Sequence, residues 1–411
     1  MRQFPDGWRR ETLGELGVQA QPGYASGKHA GTGEVLHLRP MNISPDGTIV
    51  TDDCKYVTAD AGNLRVTAGD VLFNNTNSLR WVGKTAYVLL SEPVGFSNHM
   101  TRLRVGGSLD AQYLATYLHF LQQTGYFESI ASNHVNQASV ATKRLMQVEV
   151  VVPPLDEQRR IVAILEDTLT HIDAAESALR HAQVKLTSLE ASFLEGIFVA
   201  TNSPMVPLGD LLDGIEAGKS VGSTSGPARD GEWGIIKVSA MTYGEFRPDE
   251  NKAIPSILAN PQYRICQGDL LVSRANTEAL VGASVMVRSS PNMLLLSDKS
   301  LRLLPKPGVS TEWLWRVLQA PSTRASMSAI ATGTKDSMRN ISQAALRALL
   351  VPSVEQTSQH DALRDYEGIA HSLIGKREHI DSCLWRASIL RRSLLAAAFR
   401  GNLTRDYRKD T

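Results

Sequence analysis

The sequence predicts an α+β protein in which two similar domains are separated by two long helices, and the helices form an antiparallel coiled coil with pseudo-two-fold symmetry. Two repeats lead to this prediction. Residues 65–78, RVTAGDVLFNNTNS, and residues 264–277, RICQGDLLVSRANT, share the pattern R-x-x-x-G-D-x-L-x-x-x-x-N-[ST] without a gap. Residues 151–158, VVPPLDEQ, resemble residues 349–356, LLVPSVEQ, and each stretch precedes a long helical pattern. Such repeats at a fixed offset indicate a duplicated structural unit.

Composition sets the class of protein and argues against several kinds of site. The 411 residues are enough for two domains with connecting segments, and 42% hydrophobic and 21% charged residues are ordinary for a globular protein. The formal net charge of +1 leaves a nucleic-acid partner open, because the position of the charges matters more than their sum. The three cysteines form no C-x-x-C, and no long apolar run occurs. We therefore expect a cytoplasmic protein with no membrane segment and no metal site.

The two predicted domains cover residues 1–152 and 203–352. In the first, short apolar runs bounded by Gly, Pro and Asn predict strands at EVLHLR, DVLFNN, KTAYVLL and TRLRV, followed by the helical AQYLATYLHFLQQT. The second repeats this order with WGIIKV, DLLVS, ASVMV and LRLLP, followed by TEWLWRVLQA. The offset between the copies stays at about 200 residues throughout, so the two domains are expected to share one fold.

Residues 153–202 and 353–411 are predicted to be the two long helices. Apolar residues recur in both with the three- and four-residue spacing of a coiled-coil seam. The first seam is Leu165, Ile172, Ala175, Leu179, Ala182, Leu186, Leu189 and Phe193. The second seam is Leu363, Tyr366, Ile369, Leu373, Ile380, Leu384, Ala387, Leu390 and Leu394.

Connectivity sets the direction of the helix pair. The first helix leads from the first domain to the second, so the second helix can pack along the first only by running back. The pair is therefore predicted to be antiparallel, with the C-terminus returning close to the N-terminus. An acidic excess in residues 153–202 and a basic excess in residues 353–411 favour the pairing. Proline and acidic residues at both helix starts are typical of capping and of the helix dipole.

Motifs for catalysis are missing from the sequence. GIEAGKS, residues 214–220, resembles a phosphate-binding loop, but Asp213 stands where G-x-x-x-x-G-K-[ST] requires glycine. No [ND]-P-P-[YF] motif for adenine methylation occurs, because valine and leucine flank Pro153 and Pro154. We therefore expect that the chain is not an enzyme and binds no cofactor of its own.

The whole arrangement resembles the specificity subunits of type I restriction-modification enzymes. The resemblance is carried by VVPPLDEQRRIVAIL, the two G-D-x-L strands, the GKS at residues 218–220, and SFLEGIF and LLAAAFRGNL at the helix ends. It implies two target recognition domains that bind the halves of a split, asymmetric sequence in double-stranded DNA. It also implies docking of two methyltransferase subunits, which use S-adenosylmethionine, and of two motor-nuclease subunits, which use ATP and Mg. The second helix start, VPSVEQTSQ, departs from the pattern because one proline and RRIVAIL are missing.

Candidate DNA-binding residues follow from comparing the two copies. Basic and amide side chains suit phosphates and base edges. The candidates in the first domain are Arg39, Asn75, Asn77 and Asn136, and those in the second are Lys237, Arg274, Asn276, Lys335 and Arg339. Two structural alternatives stay open, since asparagine-rich loops can be simple turns and Arg39 and Lys237 can be solvated strand ends. For the whole chain, the alternative is a non-catalytic coiled-coil scaffold or protein-binding module without DNA specificity.

Overall fold

The structure is a computed structural model, and it describes residues 4–408 except 27–29, 59–63, 136, 201, 223–225, 243, 334–337 and 407. The chain divides into two compact units. Unit 1 consists of Met1–Ala178 and Cys383–Thr411, and unit 2 consists of Leu179–Ser382. Each unit therefore combines a globular part with segments of both long helices.

Unit 1 is an α+β unit with short strands and one central helix. Its strands are β1 (Arg9–Thr12), β2 (Gln19–Pro22), β3 (Val35–Leu38), β4 (Lys55–Val57), β5 (Val71–Asn74), β6 (Thr76–Asn77), β7 (Thr85–Tyr87), β8 (Gly95–Phe96), β9 (Met100–Arg104), β10 (Ser132–His134), β11 (Gln137–Ser139) and β12 (Glu149–Val152). Its helices are α1 (Ala111–Gln123), α2 (Tyr126–Ile130), α3 (Thr142–Leu145) and the first part of α4 (Leu155–Phe198).

The sheets of unit 1 surround a core that the sequence pattern explains. The main sheet has the order β2-β9-β5-β7, and the others have the orders β4-β3-β8, β10-β11-β6 and β1-β12. All four residues of β5, VLFN, are buried, as expected for an apolar strand between two neighbours. Helix α1 buries Tyr113, Leu114 and Leu118 against this sheet and the long helices.

Unit 2 repeats this architecture. Its strands are β13 (Met205–Pro207), β14 (Leu212–Ala217), β15 (Trp233–Ile236), β16 (Asn251–Ile254), β17 (Leu270–Ser273), β18 (Ala275–Asn276), β19 (Ser284–Met286), β20 (Leu294–Leu295), β21 (Ser300–Pro305), β22 (Arg339–Asn340) and β23 (Leu350–Pro352). Its helices are the last part of α4, α5 (Thr311–Gln319), α6 (Pro321–Ala329), α7 (Gln343–Ala348) and most of α8 (Gln356–Ala398), whose last part belongs to unit 1. The sheet orders β14-β21-β17-β19, β16-β15-β20 and β13-β23 match those of unit 1, and β18-β22 corresponds to β6-β11, with no counterpart of β10 among the described residues. The predicted α+β repeat is confirmed.

The shared G-D-x-L pattern forms the same turn in both units. Gly69 and Gly268 have φ values of 93° and 92°, which favour glycine. The aspartate that follows accepts a hydrogen bond from a backbone N–H three residues earlier, at 2.9 Å for Asp70 and 2.8 Å for Asp269. The turn leads into a strand with a fully buried leucine. The pattern therefore recurs because it builds the frame.

The starts of the long helices are fixed by a buried glutamine in each unit. Gln158 accepts a hydrogen bond from the Asp110 N–H at 2.8 Å and donates to the carbonyls of Ser108 and Pro153. Gln359 accepts from the Ser310 N–H at 2.7 Å and donates to the carbonyls of Gly308 and Val354. The counterpart of Gln158 is therefore Gln359, and the sequence match of Gln158 with Gln356 is wrong by three residues. Gln356 is exposed and begins the helix.

Within each unit the long helices pack antiparallel. In unit 1, Ile161, Leu165, Leu395 and Phe399 lie in one core. In unit 2, Gln183 donates to Asp381 at 2.7 Å and Tyr366 donates to Glu190 at 3.1 Å, so rising numbers in α4 meet falling numbers in α8. The predicted direction of the pair is confirmed.

The predicted seam is wrong at Ala175, which is exposed, and at Leu189 and Leu390, whose exposed fractions are 42% and 53%. The contact is continued instead by two buried residues of α4, Leu194 and Phe198. Their counterparts in the second copy, Leu395 in α8 and Phe399 just after its end, are also buried. Successive four-residue steps rotate the contact line around the helix, and such a shift breaks a strict seven-residue repeat. The seam predicted from alternating three- and four-residue spacings of apolar residues did not include this shift.

The C-terminal segment lies against the N-terminal segment in unit 1, as predicted. Glu157, which is 3% exposed, accepts hydrogen bonds from Trp8 Nε1 at 2.9 Å and from the side chains of Thr404 and Arg408. A buried carboxylate needs such donors to offset the loss of water. This cluster joins the first turn of α4 to both ends of the chain.

A buried histidine gives unit 1 a predicted pH dependence. His119 on α1 is 7% exposed, and burial lowers its pKa from 6.5 to about 4. As pH falls from 6.5 towards 4, this histidine takes up a proton in the unfolded chain but stays neutral in the folded chain. The free energy of unfolding therefore decreases over this range. We expect this loss to reach on the order of 2 kcal/mol, measured by urea unfolding at several pH values. His119→Gln should remove it, whereas the exposed His171→Gln should not; equal pH profiles for wild type and His119→Gln would contradict the prediction.

Candidate nucleic-acid interface

One strand pairing brings the predicted loops together in each unit. In unit 1, β6 pairs with β11, with Asn77 opposite Ala138 and Thr76 opposite Ser139. In unit 2, β18 pairs with β22, with Asn276 opposite Arg339 and Ala275 opposite Asn340. The loop after the G-D-x-L strand therefore meets a second loop of the same unit, although more than fifty residues separate them in the chain.

The asparagines of the first loop are tied into the local structure. Asn75 donates to Thr76 Oγ1 at 3.1 Å and accepts from Thr101 Oγ1 at 3.1 Å. Asn77 accepts from the Ser78 N–H at 2.8 Å, which is a turn contact. Asn136 lies outside the described residues. The alternative that these loops are simple turns therefore accounts for this hydrogen bond of Asn77.

The corresponding loop of unit 2 carries more positive charge. Asn276 accepts from the Thr277 N–H at 2.9 Å, which repeats the contact of Asn77. Arg339 lies 3.8 Å from a carboxylate oxygen of Glu278. Among the described residues, half-buried Arg274 has no ion-pair partner. Lys335 lies outside the described residues.

Arg39 and Lys237 occupy equivalent places at the start of a short 3-10 turn. Arg39 donates to the Asp53 carbonyl at 2.9 Å, and its guanidinium is 3.7 Å from the Asp53 carboxylate. Lys237 is 3.4 Å from Glu250. Hydrogen bonds from Ser239 and Lys237 lower the pKa of Glu250. Both basic residues therefore have a structural ion pair, and DNA phosphates would have to compete with a carboxylate for them.

Sequence reasoning missed two further features of these loops. An exposed apolar residue stands in the second loop of each unit, Val135 at 94% and Met338 at 51% exposure. In unit 1, the Arg80 guanidinium lies 4.9 Å from the centre of the Trp81 ring, directly after the first loop. The adjacent arginine and tryptophan in the sequence are the signal that could have identified Arg80 and Trp81. Such side chains can stack on nucleic-acid bases as well as pack within a protein.

No group of three or more His, Cys, Asp or Glu side chains is placed to hold a metal ion within the described residues. Over the same part of the chain, no helix is long and apolar enough to cross a membrane.

Comparisons with known proteins agree on one family. Residues 51–181 match the type I restriction modification DNA specificity domain. The specificity subunit of the type I restriction enzyme EcoEI from Escherichia coli is 31% identical over 172 residues, which are 40% of this chain and 29% of that protein. The EcoKI specificity subunit from E. coli K12 is 22% identical over 91% of this chain and 83% of that protein. The matched stretches of the EcoEI and MjaX subunits cover 29% and 26% of those proteins.

Solved structures show the same fold along nearly the whole chain. One chain from a study of complex assembly and conformational transition in a type I R-M system has a TM-score of 0.76 at 18% identity, covering 98% of this chain and 100% of that one. The HsdS subunit from Thermoanaerobacter tengcongensis has a TM-score of 0.53 at 18% identity, covering 98% of both chains. With residues 51–181 matching the specificity domain and with this fold, the chain is similar to the type I restriction specificity subunits, as the resemblance of its sequence predicted.

Proposed function

We propose that this chain is the DNA sequence-recognition subunit of a type I restriction-modification complex and reads a bipartite, asymmetric target. Residues 1–152 would form one target recognition domain and residues 203–352 the other, with one half-site each. The observation that carries the proposal is a repeated frame with different loops, because β6–β11 and β18–β22 are the same pairing. Equal frames with unequal side chains suit two readers of different sequences.

The loop chemistry supports direct reading of bases. Arginine donates two hydrogen bonds to guanine, and asparagine pairs in the same manner with adenine. We propose that Arg274 reads the second half-site, since its side chain has no ion pair among the described residues. Asn75 would act at the corresponding place in the first. The remaining candidates would bind bases or phosphates around them: Arg39, Asn77, Asn136, Lys237, Asn276, Lys335 and Arg339.

Catalysis would belong to partner subunits, and this chain would provide specificity and a dock. The long helical segments, residues 153–202 and 353–411, are the proposed dock for two methyltransferase subunits that use S-adenosylmethionine. Two restriction subunits that use ATP and Mg would join the complex. Exposed apolar residues recur at matching positions of the helices, Val184 with Trp385 and Leu189 with Leu390. Exposed apolar side chains at repeated positions suit two copies of one partner.

The test is co-expression with the cognate methyltransferase subunit, followed by mapping of modified bases in host DNA. We expect methylated adenine in both halves of a split motif. Arg274→Ala should relax one or more base positions in one half-site, by about 1–3 kcal/mol of discrimination, and leave the other half unchanged.

Asn75→Ala is the matched variant, because it changes the corresponding loop of the other unit. It should relax the other half-site only. A chain that directs no bipartite methylation, or binds DNA without any salt-sensitive sequence preference, would be a scaffold rather than a specificity subunit.

A further inference from the structure

Among the described residues, two glutamate–arginine ion pairs connect the long helices, one in each unit, and in unit 1 the same arginine also pairs with Asp173. In unit 1, Glu176 of α4 lies 4.0 Å from Arg391 of α8. In unit 2, Glu190 of α4 lies 2.5 Å from Arg377 of α8. All four side chains are partly buried, with exposed fractions between 13% for Arg391 and 37% for Arg377. Partial burial reduces screening by salt, so the sign of each pair matters to the packing.

The two ion pairs are one contact repeated. Buried residues of α4 and α8 correspond at a constant offset, and so do the glutamines at the helix starts. The buried pairs are Gln158 with Gln359, Leu165 with Tyr366, Ile172 with Leu373, Leu194 with Leu395 and Phe198 with Phe399. At the same offset Glu176 corresponds to Arg377, and Glu190 corresponds to Arg391. The contact between Glu176 and Arg391 in unit 1 is therefore the counterpart of the contact between Arg377 and Glu190 in unit 2.

In both copies of this contact the acid is on α4 and the base is on α8. The first half of the chain, residues 1–202, therefore presents only Glu176 and Glu190 at these positions, and the second half, residues 203–411, presents only Arg377 and Arg391. If two first halves paired in the same way, Glu176 would meet Glu190 at both contacts. Two second halves would bring Arg377 against Arg391 at both contacts.

The apolar seam cannot make this distinction by itself. Its corresponding residues are large and apolar in both helices, so either half could bury them against a copy of itself. Charges beside a seam are the features that set partner choice in coiled coils.

We infer that the Glu176–Arg391 and Glu190–Arg377 contacts make the helix of each half specific for the opposite half and disfavour pairing with a second copy of itself. The helix of each half therefore packs against the helix of a half that carries the opposite charge at these positions. This inference concerns pairing and does not depend on DNA recognition.

Charge reversal in the intact chain tests the contacts. All variants carry Asp173→Asn, because Asp173 also pairs with Arg391. Arg377→Glu with Arg391→Glu, or Glu176→Arg with Glu190→Arg, should each lower the melting temperature by about 5 °C. The variant with all four changes should regain most of the loss. Arg386→Glu with Arg392→Glu is the control, since it changes the net charge of α8 equally at exposed positions.

Partner choice is tested with halves taken from the folded chain. A protease site inserted between residues 202 and 203 allows the intact protein to be folded and then cut. Two cut preparations of different isotopic mass are mixed, dissociated in urea and returned to buffer, and native mass spectrometry counts the pairs. We expect exchanged first-with-second pairs to exceed like-with-like pairs by at least about tenfold.

With Arg377→Glu and Arg391→Glu, this excess should shrink, because both seams are then acidic. Random pairing of wild-type halves would overturn the inference, and so would a four-residue variant no more stable than either double variant. Half-site methylation by the intact wild-type chain is read separately, so failure of the pairing inference leaves the proposed function standing.

Discussion

Gly218→Ala is expected to destabilise unit 2 by on the order of 3 kcal/mol, because an added methyl group would overlap the backbone of a neighbouring segment. A Cβ at Gly218 would lie 2.2 Å from the Leu296 carbonyl oxygen and 2.5 Å from that of Ser297. Both atoms belong to a backbone that follows the buried β20, so they cannot move aside as a flexible side chain would. Urea unfolding measures the loss, and hydrogen exchange should locate it in unit 2.

Unit 1 offers the same test at Gly23. A Cβ there would lie 2.3 Å from the carbonyl oxygens of Phe96 and Ser97, which is the corresponding contact. Gly222→Ala and Gly31→Ala are the matched controls, since a Cβ at either site meets nothing within 4 Å. If Gly218→Ala unfolded at the same urea concentration as Gly222→Ala, the close approach would not be a constraint on the fold.

This role of Gly218 explains a motif that the sequence left ambiguous. GKS could be compared with a phosphate-binding loop or with the family pattern, and Asp213 argued against the first. The structure shows a glycine that lets two backbone segments approach, with exposed Lys219 beside it. Contacts between segments distant in the chain leave no local pattern, so only the requirement for glycine was visible in the sequence.

The predictable parts of the fold were those fixed by local patterns and by repetition. Apolar runs identified strands such as β5 and β17, and periodicity identified α4 and α8. The misplaced Leu189 and Leu390 show the limit, because a small change in helical period moves the contact line without changing composition. The side-chain partners of Arg39 and Lys237, Asp53 and Glu250, were equally hidden, since they come from loops.

The sequence repeat also predicted part of the candidate interface. Because Asn75 and Arg274 follow equivalent strands, a loop position in one half indicated its counterpart in the other. Which second loop would meet them depended on strand pairing over long separations, and this appeared only in the structure. The exposure of Val135 and Met338 could not be predicted from the sequence, because single apolar residues occur both in cores and on surfaces and these two belong to no periodic pattern.

Gln359→Ala is expected to lower the free energy of unfolding of unit 2 by about 3 kcal/mol. The substitution removes three hydrogen bonds and leaves the Ser310 N–H and the carbonyls of Gly308 and Val354 without this partner. Gln359 is only 3% exposed, so water cannot readily replace the lost amide. Ser310 is also the N-cap of α5, and the change should therefore loosen α5 and the start of α8 together, which hydrogen exchange can follow.

Gln356→Ala is the decisive control, because sequence matching aligned Gln356 with Gln158 while the hydrogen bonds assign that role to Gln359. Gln356 is exposed, so its replacement should change stability by less than about 0.5 kcal/mol. Gln158→Ala should reproduce the Gln359→Ala loss in unit 1, where the same three kinds of bond are made. A larger effect at Gln356 than at Gln359 would restore the sequence alignment. A larger loss for Gln359→Ala than for Gln356→Ala would show that the two copies keep the same three-dimensional contact. The similar sequence around that contact is shifted by three residues.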